Sequence, residues 1–392
     1  MTSIRSRWKS RHTVLCLCIG SYFTIRYAQI IIGPLVPWLL ESFTVTRGDI
    51  GIVLTGMWIA YAISQLPSGV LSDVYGPGRI IRVAVVMTGV ATIGLALAWD
   101  FIIFALFILL LGVGAGIYYN PATAYLDETF EHIGSVIGTH RIGGQVAGVV
   151  APVIVTALAL SFGWRIAIVS GAAVSGLTLA VLLVRLPITL HPNPRRDVTP
   201  STLIANLRTQ LTHPGLQATT GMMIAVEFVG LATMAFLPIF LIQHAGVSPW
   251  GAGVLFALYF GMAALCQPVS GIASDRFGRD LTLLVLMVLG TGGFILLVFG
   301  SQVVLVVTGV VAAGMAMSAT PVIQSRFLDR LPATDRGAGF GSFRTIYMLL
   351  GSSGTAVTGI VADLSGWIAA FGLLGSLLGV VLVAASLALV RS

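Results

Sequence analysis

Two ionisable side chains interrupt long apolar runs at matching places. Arg26 sits in SYFTIRYAQIIIGPLVP, residues 21–37, and lies 11 residues before Pro37. Glu227 lies 11 residues before Pro238. A charge at the centre of a bilayer costs about 2.5–3.5 kcal/mol on insertion scales, so an ionisable group at that depth is a functional candidate by default. A guanidinium presents a planar fork of donors that fits carboxylate, nitrate or phosphate. A carboxyl beside it can take up a proton when an anion competes for the cation. The pair therefore suggests anion binding at Arg26 and proton coupling at Glu227. The alternative is a static Arg26–Glu227 bridge that holds one conformation.

Further polar groups fall within apolar runs. Arg141 and Arg344 lie 203 residues apart, each near the start of a run. They either snorkel to headgroups or draw anions towards a site. Tyr61, Tyr118, Tyr119, Asn120, Gln145, Gln324 and Tyr347 are candidate substrate contacts, with Trp58, Tyr259 and Thr320 beside them. Aromatic walls with a few polar groups suit a small organic ligand; helix packing is the rival role for each. No nucleophile–base pair suggests catalysis. The six histidines are scattered without metal-ligand spacing, and no cofactor is expected. Cys16, Cys18 and Cys266 read as buried free thiols.

The elements that must position these groups are membrane spans. The chain has 392 residues, 57% hydrophobic and only 9% charged, against about 25% charged in soluble domains. About twelve runs reach the roughly 20 apolar residues a spanning helix needs. They are too long and too continuous for β-barrel strands. The net charge of +7 is not a nucleic-acid signature, because its distribution is topological. Arg79, Arg82, Arg185, Arg195, Arg196, Arg208, Arg276, Arg279, Arg326, Arg330 and Arg336 fall in every second loop. The opposite loops carry Arg47 and Arg165. This positive-inside pattern places both termini in the cytoplasm and the protein in the cell membrane. The basic start followed by an apolar run resembles a signal peptide. Its length, and the lack of a small-residue cleavage site, favour a retained first helix.

The chain also repeats. Pro37 aligns with Pro238, Gly69 and Asp73 with Gly271 and Asp275, Gly138 and Arg141 with Gly341 and Arg344, and Gly163-Trp164 with Gly366-Trp367. The shift drifts from 201 to 203 residues, as small loop insertions would produce. A Pro- and Arg-rich connection, Leu186 to Gly215, separates the copies and suggests a short surface helix over Ser201 to Leu211. The expected organisation is a cytoplasmic tail (1–12), a six-helix bundle (13–187), a cytoplasmic linker (188–214) and a second six-helix bundle (215–392). Parallel repeats of six spans place a substrate site near mid-membrane.

The short loops after spans two and eight read GVLSDVYGPGR and GIASDRFGR. Glycines let helices turn tightly there, and an Asp can cap a helix start. With these doubled loops, the two Gly-Trp pairs and the central linker, the whole chain resembles the major facilitator superfamily. The resemblance implies an all-α membrane fold of two pseudo-symmetric six-helix bundles. It also implies a conformational latch at Gly69, Asp73, Gly76 and Arg79, and at Gly271, Asp275, Gly278 and Arg279. The first third is closest to the organic-anion branches, in which an Arg of the first span binds the substrate's anionic group; Arg26 occupies that place. The fourth span, FILLLGVGAGIYYNP, lacks the Arg common in proton-coupled members.

The expected function is secondary transport of a small anion by alternating access, coupled to protons, by a monomer in the lipid bilayer. The rivals are a proton-coupled drug efflux antiporter and a non-transporting receptor of the same fold. No Gly-x-x-x-x-Gly-Lys-Ser/Thr loop supports a nucleotide-driven pump.

Overall fold

The structure is a computed structural model that describes residues 2–130, 133–186, 214–332 and 336–391. The expected surface helix over Ser201 to Leu211 lies outside the described residues. Every regular element among the described residues is an α-helix. In chain order they are α1 (Thr2–Ile30), α2 (Ile32–Phe43), α3 (Arg47–Tyr75), α4 (Pro77–Leu97), α5 (Phe101–Gly116), α6 (Tyr119–Thr129), α7 (Ile133–Phe162) and α8 (Trp164–Arg185). Then follow α9 (Pro214–Gln243), α10 (Pro249–Phe277), α11 (Arg279–Phe299), α12 (Val303–Ala316), α13 (Ala319–Leu328), α14 (Arg336–Gly351) and α15 (Ser353–Arg391).

Among the described residues, ten helical stretches are long and apolar enough to cross a membrane, and an eleventh results if the pair Arg47–Gln65 and Pro67–Tyr75, bent by 47°, is one span. The last stretch, Gly339–Val390, has 52 residues. At 1.5 Å per residue it would reach about 78 Å, more than twice the roughly 30 Å hydrocarbon core. Gly366, at φ 79°, breaks the helix inside it, so this stretch makes two passes. The about twelve spans expected from the sequence are thereby accounted for. Large apolar side chains such as Val90, Leu177, Leu265 and Val380 stand exposed on the helices, as lipid-facing residues do.

Several spans consist of two helices, and prolines explain two of the breaks. Proline lacks the N–H that would bond the carbonyl four residues back, and its ring crowds that carbonyl. The break between α5 and α6 falls at Ile117 and Tyr118, just before Pro121. The break between α12 and α13 falls at Met317 and Ser318, just before Pro321.

The chain forms two compact units: Met1–Thr44 with Gly56–Arg196, and Val45–Thr55 with Asp197–Ser392. In the first unit α1 packs along α7, and α4 packs on α5 and α8. In the second, α9 packs along α14 and α15, and α11 packs on α12 and α15. The same contacts recur at equivalent positions. A methyl group added at Gly112 would fall 2.2 Å from the Met57 carbonyl oxygen, and one at Gly314 would fall 2.5 Å from that of Tyr259. The Trp164 indole N–H donates to Ser42 Oγ at 2.8 Å. Its counterpart Trp367 donates to Gln243 Oε1 at 2.9 Å. Each indole thus ties the start of a span to the end of an earlier one within its own unit.

Residues 45–55, the start of α3, belong to the second unit, and a dense set of contacts holds them there. Asp363 accepts from the Arg47 and Gly48 backbone N–H groups at 3.2 and 2.7 Å. It thereby caps the α3 N-terminus, where a carboxylate also meets the positive end of the helix dipole. The Arg47 guanidinium lies 3.5 Å from Asp363, donates to Gln243 Oε1 at 2.9 Å and sits 4.9 Å from the Trp367 ring centroid. Thr55 and Thr355 share a hydroxyl hydrogen bond of 2.7 Å. Backbones touch at Gly51, where a methyl group would fall 2.3 Å from the Thr355 carbonyl oxygen.

Candidate functional site

In the first unit the candidate site is built around Arg26, on α1 just before its break at Ile31. The side chain is half-buried. Its Nη1 donates to Gln29 Oε1 at 2.9 Å, one turn along the same helix. The guanidinium carbon lies 5.9 Å from the Trp58 ring centroid, at the outer reach of a cation–π contact. Trp58 is buried and meets Tyr61 edge-on, with centroids 5.7 Å apart. Gly144 on α7 makes room for this cation: a methyl group there would fall 3.1 Å from Arg26 Cγ and 2.5 Å from the Tyr22 ring. The result is a positioned planar donor against an aromatic wall, which is what binding of a small oxyanion requires.

The other candidates of this unit fall into two sets. Tyr118 is fully buried, and its hydroxyl donates to the Cys18 carbonyl at 2.6 Å. It stands 3.0 Å from His140 Nε2. With its own proton on Cys18, Tyr118 must accept from His140, which fixes the ring's tautomer. Tyr22, Tyr118 and Tyr119 surround the buried imidazole with centroids 4.9 to 6.1 Å away. Asn120 donates to the Gln65 carbonyl at 2.8 Å and to Ser68 Oγ at 3.1 Å, so its amide nitrogen ties α6 to α3. By contrast Tyr61, Tyr119 and Gln145 are only half-buried, and Arg141 is exposed.

In the second unit Glu227 lies half-buried on α9. Its stem packs on Gly351 of α14, where a methyl group would fall 2.8 Å from Glu227 Cβ. Each unit thus has a glycine of its fifth span facing the charge-bearing stem of its first. Tyr347 is buried, and its hydroxyl accepts from Gln324 Nε2 at 3.3 Å. Arg344, next to the buried Phe343, is half-buried.

The two loop motifs differ in their partners. Gly76 and Gly278 share positive φ values of 84° and 91°, a conformation that favours glycine at the turn. Gly69 and Gly271 lie one helical stretch earlier, on α3 and α10, with no crowding of an added methyl group. In the second motif Arg279 ion-pairs with Asp275 and with Asp329, the latter at 3.0 Å, and donates to Ser274 Oγ at 2.7 Å. In the first, Arg79 is exposed and Asp73 half-buried. Beside the second motif is a network that sequence reading does not reveal. Arg326 is 3% exposed, bonds Asp280 at 2.6 Å and donates to Thr219 Oγ1. Arg330 bonds the Arg326 carbonyl at 2.9 Å; burial, and then the Arg326 charge, lower its pKa from the usual value. In the sequence Arg326 looks like one more topological charge; only its alignment with a neighbouring helix start shows it as structural.

Comparison with known proteins follows the same lines. The chain is 28% identical to the "Probable sulfoacetate transporter SauU" of Cupriavidus necator over 180 residues, 45% of this chain and 42% of that protein. It is 28% identical to the "Membrane sensor protein UhpC" of Salmonella typhimurium over 177 residues, 44% and 38% of the two chains. These matches span less than half of either relative. The "Probable nitrate transporter NarT" of Staphylococcus aureus is 22% identical over 291 residues, 71% and 70% of the chains. Among solved structures, a variant of the nucleoside transporter NupG superposes with a TM-score of 0.82 at 16% identity, covering 95% of this chain and 99% of that one. A bacterial homologue of the lysosomal transporter Spinster, inward-facing and occupied, gives 0.80 at 18% identity over 96% of each chain. At such identities the likeness concerns the fold. The family model for the Major Facilitator Superfamily matches residues 18–252 and 219–392, and the chain belongs to that superfamily.

Proposed function

We propose that the protein is a secondary transporter of a small organic anion, working by alternating access with Arg26 as the anion's ligand. The observation that carries this reading is the Arg26 guanidinium itself: half-buried in a spanning helix, braced by Gln29 and set against Trp58. A cation kept at that depth repels cationic drugs and attracts anions. The names of two relatives, a sulfoacetate and a nitrate transporter, support an oxyanion as cargo. Glu227 is the proton-coupling group of the second unit, the one acidic side chain placed like Arg26 in its half. The test is counterflow of labelled anions in proteoliposomes. Exchange of at least one carboxylate, sulfonate or nitrate is expected in the wild type and absent in Arg26→Gln. Glu227→Gln should keep counterflow while losing acceleration by a proton gradient. Cationic drug efflux that survives in a protein inert to every anion would overturn the reading.

A second reading has a specific observation behind it. The relative from Salmonella is named a membrane sensor, so a receptor on this fold would bind the same anion without moving it. Binding without counterflow would identify that case.

A further inference from the structure

The orientation of Gln29 is dictated by its neighbour. A guanidinium only donates hydrogen bonds, so the amide oxygen must face Arg26 Nη1, as it does at 2.9 Å. The amide nitrogen therefore points away from Arg26 with both of its hydrogens. Gln29 is 1% exposed, and its Nε2 is a buried donor with no hydrogen-bond partner among the described residues. Buried polar side-chain atoms are nearly always satisfied. The flanking Tyr27, Ala28, Ile30 and Ile31 are 0–1% exposed.

The residue type is informative. A spacer with no polar task would be an aliphatic side chain, which leaves no donor unmade. A residue whose only task was to anchor Arg26 would be glutamate, which would also neutralise it. Glutamine anchors the guanidinium through one atom, preserves its positive charge and adds a donor on the same side-chain carbon. The two amide heteroatoms share that carbon, so Nε2 is held one amide group beyond the oxygen that meets Arg26 Nη1.

We propose that Gln29 is a second substrate-recognition residue: Oε1 orients Arg26, and Nε2 donates to an oxygen of the same bound anion. The ligand class is then an oxyanion with at least two acceptor oxygens, a carboxylate, sulfonate or nitrate. This assignment rests on the reading of Arg26 as the anion's ligand.

The test uses the purified full-length protein in detergent. Melting is followed against acetate, methanesulfonate, sulfoacetate and nitrate, since ligand binding to the native state raises apparent stability by mass action. The wild type should be stabilised by at least one of them, with the shift lost in Arg26→Gln. Gln29→Met should raise the half-saturating anion concentration about tenfold to a hundredfold, as expected for loss of a hydrogen bond to a charged group. Its anion-free melting temperature should match or exceed that of the wild type, because an unmade donor has been removed. Gln29→Glu keeps the brace but loses the donor and the net charge. It should bind no anion at neutral pH and recover binding as acid restores a donor, a rescue that neither the wild type nor Gln29→Met should show. An unchanged half-saturating concentration in Gln29→Met, together with a lower anion-free melting temperature, would make Gln29 structural and overturn the assignment. Stabilisation that persists in Arg26→Gln, or that no anion produces in the wild type, would instead overturn the reading of Arg26 and this assignment with it.

Discussion

Buried charge divides into two kinds at the level of single residues. Arg326 is 3% exposed and engaged by Asp280 and Thr219. Removing one partner of a buried pair leaves an uncompensated charge, at a cost of about 3–5 kcal/mol, whereas replacing both by apolar residues is often neutral. Arg326→Ala should therefore strongly lower the melting temperature, and Arg326→Met combined with Asp280→Leu should recover most of the loss. Arg26 is different, being only half-buried. Arg26→Gln should cost little stability in the absence of ligand while abolishing anion-dependent stabilisation; a large anion-free loss would mark it as structural. Arg26 and Glu227 are legible in the sequence because a charge inside an apolar run contrasts with everything around it. Gln29 is not, because a neutral amide barely perturbs hydropathy and its unmade donor exists only in three dimensions. Asn120 and Tyr118 carry polar groups in the right span, yet their bonds to Gln65, Ser68 and Cys18 depend on register between helices, which no linear pattern records.

Helices in this protein meet through glycines, and two spans break just before a proline. Gly116 lets α5 approach the Tyr61 carbonyl so closely that a methyl group would fall 2.3 Å from it and 2.0 Å from Ser64 Oγ. Backbone cannot yield as a flexible side chain can, so Gly116→Ala should destabilise by about 1–3 kcal/mol, the usual range for overpacking. Thermal unfolding should show a clear drop there and almost none for Gly138→Ala, where the space is open. The capped start of α3 gives another prediction. Asp363→Ala removes the charge and both acceptor oxygens that face two backbone N–H groups and Arg47. A lost cap costs about 0.5–2 kcal/mol, and the partly exposed ion pair adds little. A measurable fall in melting temperature, with the fold intact by circular dichroism, is the expected result. Pro121 and Pro321 account for the breaks in α5–α6 and α12–α13. The cap did not stand out, because Arg47 and Asp363 lie 316 residues apart and Arg47 read as a lone charge in an outer loop.

For the molecule as a whole, the repeat was the most legible feature, since the paired motifs keep a nearly constant spacing. The structure returns that repeat as matching contacts, Trp164 with Ser42 and Trp367 with Gln243. The charge distribution yields a topology that fusion reporters can check. A fluorescent protein at the C-terminus should fold and fluoresce in the cytoplasm, and alkaline phosphatase inserted after Gly246, between α9 and α10, should be active outside it. Active phosphatase at the C-terminus would invert the assignment. One part of the architecture departs from the simple picture of two successive halves: residues 45–55 precede the linker yet belong to the second unit. The halves are therefore not interchangeable cassettes. A recombinant that joins residues 1–196 of this chain to the second half of a relative would separate Arg47 and Gly51 from the Asp363 and Thr355 they pack against. Such hybrids should misassemble unless those few positions are transplanted too, so shuffling among relatives should succeed only when the α3 start travels with the half it packs against.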